Sequence, residues 1–451
     1  MRFHKAMRRV AVLVVVIGAV VIPTRIPKAY GQVRSISTSQ LVQMIGVNVH
    51  MRYTDGAYAN PTNVLQALRF LGVSHVRDLM PGTGAQADMQ ARDALRRLVF
   101  EGIKLNLIFS GGWRPAEAVD LVRNLEKAVP GSVASVEGYN EINNFPVTFE
   151  DQSGLAAAAA GQKALYQSIK GSPDVRHIPV IDMTGFEMLK DPKVTYGSSL
   201  EGYADVMNVH AYAQNGQQPS IWINPEKIEA YKSLQQVLPK VITEFGYSTM
   251  PQSGWLVIGV DERTQAKGLL NGLFDAARSG YDKLYFYELL DQKPDPASKQ
   301  LEFHFGLFTF ENRPKVAAQA IRNLVQVLGE RESGSATEPN RSKPNSKLPS
   351  NGSFHLDVQK PERGDQFFTL GLMKSTGTQL AAVWRETMFW DRATGQPLEA
   401  DGITATLTFD KPCDSIKVYD VLRSSEPTAV STGGVVSVVI GDHVQLVECV
   451  N

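Results

Sequence analysis

Two patterns of apolar and polar residues divide the chain. Between residues 40 and 330, short apolar runs alternate with segments whose apolar residues recur every three or four positions, which is typical of strands alternating with amphipathic helices. The predicted strands are 44–50, 73–80, 103–111, 133–141, 177–186, 205–212, 239–247 and 281–290. The predicted helices are 60–72, 85–102, 114–129, 155–170, 224–238, 261–280 and 313–330.

Eight strands that alternate with helices over this length predict a (β/α)8 barrel, the TIM barrel of the α/β class, over 40–330. A doubly wound open sheet is the alternative. Such a sheet would be expected to carry a glycine-rich phosphate-binding turn after its first strand, whereas residues 48–56 are NVHMRYTDG. The barrel is therefore favoured.

The spacing of apolar residues changes in the last part of the chain. Residues 331–353 hold almost no apolar side chains and many Ser, Pro and Asn residues, which indicates a linker or an exposed loop. From 354 to 451, short runs alternate apolar and polar positions, as strands with one buried face do. We predict a C-terminal antiparallel β-sandwich over 354–451.

Residues 1–31 have the pattern of a targeting segment. A basic stretch, MRFHKAMRR, precedes an apolar run over 10–23, which has the length of a signal peptide and is short for a membrane-spanning helix. Ala29 and Gly31 place small residues before a cleavage point, so we predict cleavage before Gln32 and a secreted or periplasmic protein. The alternative is an uncleaved anchor, which would tie the protein to a membrane.

The charge balance and the composition indicate which classes of binding partner to expect. The chain has 46 basic and 46 acidic residues and a pI near 7.1, so a general nucleic-acid binder is not expected. Hydrophobic residues make up 43% and charged residues 20%, which is ordinary for a soluble protein. A neutral partner such as a carbohydrate is compatible with this balance, and we expect a monomer.

The chain has two cysteines, Cys413 and Cys449, both in the predicted sandwich. Export would allow a disulfide between them. A catalytic thiol or a thiolate metal site would need further His or Cys residues nearby, and only His443 is close in the sequence. We therefore predict a structural disulfide.

Candidate chemistry lies at the carboxyl ends of the predicted barrel strands, where TIM-barrel active sites form. Glu141 ends the fourth strand and Glu244 lies at the end of the seventh, on opposite sides of a narrow mouth. Hydrolysis of a glycosidic bond needs two facing carboxylates, because one protonates the departing oxygen while the other attacks the anomeric carbon or activates water. The alternative is a pair of rim acids held in ion pairs.

Histidines at other strand ends raise the possibility of a metal centre. Metal-dependent amidohydrolase barrels carry His-x-His on the first strand, whereas this chain has Asn48 and His50 at those positions. We therefore predict no metal and no cofactor. His50 and His210 are instead predicted to form hydrogen bonds in the site.

The same segments resemble a known family. GYNEINN (138–144) is similar to the Asn-Glu signature of clan A retaining glycoside hydrolases, and ITEFGYS (242–248) is similar to their strand-7 segment. The E-x-x-N-E spacing over 137–141 is similar to that of family 39 β-xylosidases and related exopolysaccharide hydrolases. Further matches are VRDL (76–79), NVHAY (208–212) and FGLFTFENRPKVAAQAIRNL (305–324). The resemblance covers the barrel and implies a retaining glycoside hydrolase.

The resemblance implies roles for the matched residues. Glu141 would be the general acid/base and Glu244 the nucleophile, and Asn140 would bind the 2-hydroxyl of the sugar. The sequence departs from the family at two positions. Ile142 stands where proline is usual, and Tyr287 lies in the strand-8 region where a sugar-stacking tryptophan is customary.

The resemblance also implies residues that support the nucleophile. Tyr212 or His210 would orient Glu244, and Arg77 would hold its charge and position. Glu137 shares the strand face of the proton donor and lies deeper in the barrel. We expect Glu137 to be a buried structural acid that pairs with Arg77.

Aromatic side chains near the predicted mouth are candidate platforms for sugar rings, whose apolar faces stack on flat aromatic surfaces. Trp113, Trp222 and Trp255 fall in loops after the third, sixth and seventh strands, on the face of the strand carboxyl ends. The alternative for each is that it packs its own loop. Tyr287 and His50 complete the predicted substrate-binding set.

Two other functions use the same features. A non-catalytic polysaccharide-binding or envelope-assembly protein on this barrel would keep the tryptophans but would not need two acids. A transglycosylase would use the same acids and pass the sugar to an acceptor in place of water.

Overall fold

The computed structural model describes residues 31–110, 112–186, 202–214, 216–224, 238–251, 259–329, 353–359 and 366–451. The predicted linker over 331–352 lies outside this part of the chain, as do residues 1–30 of the predicted signal segment and most of the helix predicted over 224–238. Within the described ranges, no helix combines the length and the apolar character that a membrane span requires.

The described strands are β1 Gly31–Ser37, β2 Ile45–Asn48, β3 His75–Leu79, β4 Lys104–Ile108, β5 Val133–Glu137, β6 Thr148–Phe149, β7 Gln152–Ser153, β8 Val180–Ile181, β9 Met207–His210, β10 Lys240–Phe245, β11 Lys283–Phe286, β12 Ser353–Gln359, β13 Gln366–Met373, β14 Gln379–Glu386, β15 Trp390–Asp391, β16 Gln396–Pro397, β17 Ile403–Tyr419, β18 Ala429–Ile440 and β19 Gln445–Val450. The described α-helices are α1 Thr38–Met44, α2 Pro61–Leu71, α3 Gln86–Phe100, α4 Pro115–Ala128, α5 Gly154–Gly171, α6 Glu262–Arg278 and α7 Val316–Leu328.

Eight parallel strands form the barrel, hydrogen-bonded in the order β8-β5-β4-β3-β2-β11-β10-β9. A parallel bridge between Ile181 and Val206 joins β8 to the residues that enter β9, so the two ends of the sheet meet. The predicted (β/α)8 barrel is confirmed. The fifth barrel strand, β8, is shorter than predicted; beyond its end the backbone N–H of Thr184 still donates to the carbonyl of Tyr139, which follows β5.

Local signals fix where the helices between these strands begin. Pro61 opens α2, and the side chain of Asn60 accepts a hydrogen bond from the backbone N–H of Thr62. Asp261 caps α6 in the same way through the backbone N–H of Thr264. Gly72 ends α2 with φ of 73°, a left-handed conformation that glycine adopts without strain.

The C-terminal unit is built on one seven-stranded sheet in the order β12-β1-β13-β14-β19-β17-β18. An additional pairing between β12 and β17 folds the sheet back on itself, and the predicted β-sandwich is confirmed. The sequence did not predict that β1 belongs to this unit. This strand begins at Gly31, the last residue of the predicted signal segment, and it lies antiparallel to β12 and parallel to β13.

The barrel and the sandwich share a hydrophobic core. The rings of Phe274 on α6 and Trp384 on β14 have centroids 5.8 Å apart. Lys267 on α6 forms a buried ion pair of 2.7 Å with Asp442. The side chain of Gln218, in the loop after β9, donates to the carbonyl of Thr387 at 2.8 Å. The sandwich therefore holds the β9 loop, which forms part of the barrel mouth.

The predicted disulfide between Cys413 and Cys449 is present, and it links β17 to β19. Its two ends lie 36 residues apart in the sequence. Closing a loop of that length restricts the unfolded chain and stabilises the fold by about 2–4 kcal/mol.

Replacing both cysteines by alanine is expected to lower the free energy of unfolding by about 2–4 kcal/mol, measured by urea denaturation. Reduction of the wild-type protein is the matched control and should give a similar loss. An unchanged denaturation midpoint in both experiments would contradict the prediction.

Candidate active site

A cavity of about 570 Å3 opens at the carboxyl ends of the barrel strands. Nine residues of the sequence-predicted site line it, namely Asn140, Glu141, Glu244, Arg77, His210, Tyr212, Trp222, Tyr287 and His50. Its volume is within the range of small-molecule sites. The structure therefore brings residues from six separate strand ends into one pocket.

Glu141 and Glu244 face each other in this pocket. Both residues are 7% exposed. Three atoms lie within 4.8 Å of one another: a carboxylate oxygen of Glu141, a carboxylate oxygen of Glu244 and a ring nitrogen of His210. This proximity allows both acids to act on one sugar carbon.

The backbone holds Glu141 in an uncommon conformation, with φ of 44°. Such angles cost free energy for residues other than glycine and persist where the surroundings enforce them. Here the backbone N–H of Glu141 donates to the hydroxyl of Thr184 at 3.1 Å, and Ile142 donates to the carbonyl of Thr184 at 3.0 Å. The loop after β8 thereby fixes the direction of the Glu141 side chain.

Two donors hold the carboxylate of Glu244. Arg77 Nη1 donates to Oε1 at 2.6 Å, and the Tyr212 hydroxyl donates to Oε2 at 2.8 Å. Burial and the charge of Glu244 raise the pKa of Tyr212 well above its ordinary value, so this phenol stays a donor. Each oxygen of Glu244 thus has a fixed donor, which holds the carboxylate in one orientation.

Arg77 in turn rests on Glu137, which is fully buried. Arg77 Nε lies 2.9 Å from Oε2 of Glu137, and Nη2 lies 2.6 Å from Oε1. Asn106 and Asn208 donate to the same carboxylate at 2.5 and 3.0 Å. The predicted pairing of Glu137 with Arg77 is confirmed, and it makes Glu137 the base of the network that supports Glu244.

Arg77 also donates from Nη2 to Oδ1 of Asn140 at 2.7 Å. Because the Oδ1 atom is engaged by the guanidinium, the amide nitrogen of Asn140 is the group left to face a ligand. The same guanidinium therefore orients Asn140 and Glu244, and couples their positions.

The structure distinguishes the two residues that the sequence had offered as partners of Glu244. Tyr212 contacts Glu244, whereas His210 Nδ1 lies 2.8 Å from Oε1 of Glu141 and 3.5 Å from Oε2 of Glu244. Burial raises the pKa of Glu141, but the hydrogen bond and charge of His210 outweigh burial, and the pKa is lowered overall. His210 therefore lies closer to Glu141 than to Glu244.

A second polar group lies beneath the other side of the mouth. Glu288 is buried, with its carboxylate 2.9 Å from the Tyr58 hydroxyl and 3.1 Å from His50 Nε2. Burial lowers the pKa of His50, but the charge of Glu288 outweighs it and raises the pKa overall. Burial raises the pKa of Asp78 to about 7, while its Oδ2 accepts from the backbone of Met51.

Aromatic rings surround this side of the pocket. His50 stacks on Tyr53 with ring centroids 4.8 Å apart, and the ring of Tyr287 meets His50 edge-on at 5.5 Å. Tyr287 also meets Tyr212 and Phe305 edge-on. Tyr287 thus occupies the place of the customary tryptophan with a phenol that is packed on several sides.

The other two predicted tryptophans are Trp113 and Trp255. Trp113 is outside the lining residues that the structure describes, and the guanidinium of Arg92 lies over its ring at 5.8 Å. Trp113 packs against the barrel core from the loop after β4. Trp255 lies outside the described residues. A substrate role for either residue stays a prediction.

Among the lining residues that sequence reasoning missed are Tyr53, Phe145, Phe186 and Glu302. Phe145 stands four positions after Glu141, so its place beside the motif was a usable signal. Phe186 and Glu302 lie in loops whose course no local pattern gives.

Glu141, His210 and Glu244 are close enough to ligate one metal ion. However, the donors already on these groups compete with a cation: Arg77 places a positive charge 2.6 Å from Glu244, and His210 directs Nδ1 at Glu141. The donor set therefore suits an acid pair better than a divalent metal.

No protein-family model matches the sequence, and no curated protein sequence is significantly similar to it. Among solved structures, a family 39 glycoside hydrolase from the gut symbiont Bacteroides cellulosilyticus WH2 is similar, with 14% identity, coverage of 92% of this chain and 82% of the other, and a TM-score of 0.59. A monomeric beta-xylosidase from Caulobacter crescentus CB15 has 13% identity, coverage of 93% of this chain and 99% of the other, and a TM-score of 0.51.

At this level of identity the likeness concerns the fold. Both similarities extend over nearly the whole chain, so they include the sandwich as well as the barrel. The two-part fold of this protein, a barrel with a sandwich, is therefore similar to the fold of these two solved structures.

Proposed function

We propose that this protein is an exported retaining glycoside hydrolase that acts on an oligo- or polysaccharide. Glu141 is the general acid/base and Glu244 is the nucleophile. The observation that carries the proposal is the approach of the two carboxylates to within 4.8 Å at the carboxyl ends of β5 and β10. Retaining enzymes hold their acids about 5–5.5 Å apart, and inverting enzymes hold them farther apart.

In the first step an oxygen of Glu244 bonds to the anomeric carbon, and the bond from that carbon to the leaving oxygen breaks. Glu141 gives its proton to the leaving oxygen. Arg77 and Tyr212 orient the attacking carboxylate, since each donates to one of its oxygens. The amide of Asn140 faces the sugar beside the nucleophile.

In the second step a water oxygen bonds to the anomeric carbon and the bond to Glu244 breaks. The water proton passes to Glu141, which restores the acid for the next cycle. The hydrogen bond from His210 steadies Glu141 while its charge changes. The charge on Glu244 is therefore stabilised by Arg77 and Tyr212, and the charge on Glu141 by His210.

The proposal is tested by the configuration of the first product. We expect proton NMR of a cleaved aryl glycoside to show initial release of the same anomer as in the substrate, and only later the other anomer by mutarotation. A first product of opposite configuration would indicate an inverting enzyme with Glu244 as general base.

The two alternative functions give separate outcomes. Binding of polysaccharides with no cleavage of any aryl glycoside or polysaccharide in a broad panel would indicate a non-catalytic protein. Transfer products that dominate over hydrolysis when a free sugar acceptor is added would indicate a transglycosylase.

Turnover is expected to have an acidic optimum and to fall as the pH rises. Glu141 must hold a proton to act as acid, and His210 keeps its pKa below the ordinary value, so the protonated fraction is lost at a lower pH. In the His210→Phe variant the hydrogen bond and charge that lower the pKa of Glu141 are lost, so burial raises this pKa. The alkaline limb of the kcat/KM profile should therefore move up by about one pH unit.

Tyr212→Phe is the matched control, because Tyr212 donates to Glu244 and not to Glu141. This variant should lower the rate without moving the alkaline limb. An alkaline limb that stays in place in His210→Phe would show that His210 does not set the protonation of Glu141.

A further inference from the structure

Phe145 exposes an apolar ring at the mouth of the pocket. Its side chain is 59% exposed. Among the exposed large apolar residues of the described ranges, Tyr53 is the other one that lines the pocket, and it stacks on His50 across the mouth. A solvent-facing phenyl ring that lines a cavity is a surface for an apolar ligand face.

The backbone beneath this ring is held in place. Phe145 and Asn144 both donate from their backbone N–H groups to the carbonyl of Glu141 at 2.8 Å. The side chain of Asn143 forms two hydrogen bonds to the backbone of Phe186, of 2.7 and 3.1 Å. These bonds tie the loop after β5 to the loop after β8 and bring Phe145 and Phe186 to the same side of the mouth.

This side of the mouth belongs to the proton donor. Asn144 Nδ2 donates to Oε2 of Glu141 at 3.3 Å, so the segment that carries Phe145 also contacts the acid. The rings of Tyr53 and Tyr287 follow β2 and β11, which are separated from β5 and β8 by β3 and β4 in the barrel order. The pocket therefore has two aromatic sides, one next to the acid and one across from it.

Given the proposed function, on which this inference rests, the position of the acid decides which part of the substrate meets Phe145. The acid protonates the oxygen that joins the cleaved sugar to its leaving group. A side chain beside the acid therefore meets the leaving group, while the sugar that bonds to Glu244 lies farther along the pocket.

We propose that Phe145, with Phe186 beside it, is a stacking platform for the sugar unit on the leaving-group side of the cleaved bond. The substrate is then a saccharide chain that continues past that bond, and not the glycoside of a small alcohol. A phenyl ring offers no hydrogen bond, so it recognises the CH-rich face of a sugar ring and tolerates different hydroxyl patterns.

The test compares two substrates that share the sugar attacked by Glu244. One is a tetrasaccharide, drawn from a panel of gluco-, xylo-, manno- and galacto-configured chains. The other is the methyl glycoside of the same sugar, followed by methanol release. Both need the acid, because alkoxides are poor leaving groups, but only the tetrasaccharide places a ring on the platform.

Phe145→Ala is expected to lower kcat/KM for the tetrasaccharide by roughly tenfold, the loss expected for one aromatic stacking contact. Methanol release from the methyl glycoside should stay within about twofold of wild type, and Phe145→Trp should restore the tetrasaccharide rate. Phe100→Ala is the matched control: Phe100 is 63% exposed at the end of α3, outside the described pocket lining, and neither rate should change.

Three results would overturn the inference. An equal loss on both substrates would mean that Phe145 acts through the position of Glu141. An unchanged tetrasaccharide rate would mean that no sugar rests on the ring. If the wild-type protein cleaved neither substrate class, the proposed function itself would be refuted. This failure is distinguished from a failure of the Phe145 inference because it is seen in the wild-type protein without any variant.

Discussion

Glu244→Ala is expected to lower turnover by roughly 10^4-fold or more, because it removes the proposed nucleophile. Azide is small enough to enter the space left by the side chain and can attack the anomeric carbon in its place. The product should be a glycosyl azide of inverted configuration, identified by NMR.

Glu141→Ala is the matched variant, and its response separates the two roles. It should retain the covalent step for substrates with good leaving groups, such as dinitrophenol, and lose it for those with poor ones. Azide should then release the glycosyl-enzyme as a product of retained configuration. Azide products of the same configuration from both variants would contradict the assignment of roles.

Arg77→Met is expected to reduce the free energy of unfolding by about 3–5 kcal/mol, measured by denaturant titration. The substitution leaves the fully buried carboxylate of Glu137 without its cation, and only neutral donors such as Asn106 and Asn208 remain. Addition of Glu137→Gln to this variant removes the uncompensated charge and should recover part of the loss.

Arg114→Met is the control for the loss of an arginine. Arg114 is 81% exposed and pairs with Glu117 on the surface, so its replacement should leave the denaturation midpoint in place. Equal midpoints for Arg77→Met and Arg114→Met would show that the buried network does not stabilise the fold.

The barrel and the two acids could be predicted because they follow from local pattern. A strand period of two, helical periods between strands, and an acid at each of two strand ends are all visible in the sequence. The barrel geometry then brings strand ends together without further information. Glu141 and Glu244 are predictable for this reason although 103 positions separate them (244 − 141).

Other features depend on contacts between loops, which the sequence does not encode locally. His210 contacts Glu141 and Tyr212 contacts Glu244 because of the directions in which the two side chains point across the mouth. The same holds for Phe186, which reaches the pocket because Asn143 binds its backbone.

The departure at Ile142 has a local explanation. Its backbone N–H donates to the carbonyl of Thr184 at 3.0 Å, a bond that the proline usual in the family could not form. The buried side chain of Ile142 adds apolar contact in the core. In this protein a hydrogen bond, and not a proline ring, sets the turn that carries Glu141.

The position of β1 affects the order in which the chain can fold. Val33 lies opposite Phe354, so the first described strand cannot pair with β12 until more than three quarters of the polypeptide has been made. Closing so long a loop is slow and is favourable only with the rest of the fold in place. The segments that precede and follow the barrel in the chain, β1 and β12 onwards, belong to one sheet. We therefore expect the barrel and the sandwich to unfold in a single cooperative transition.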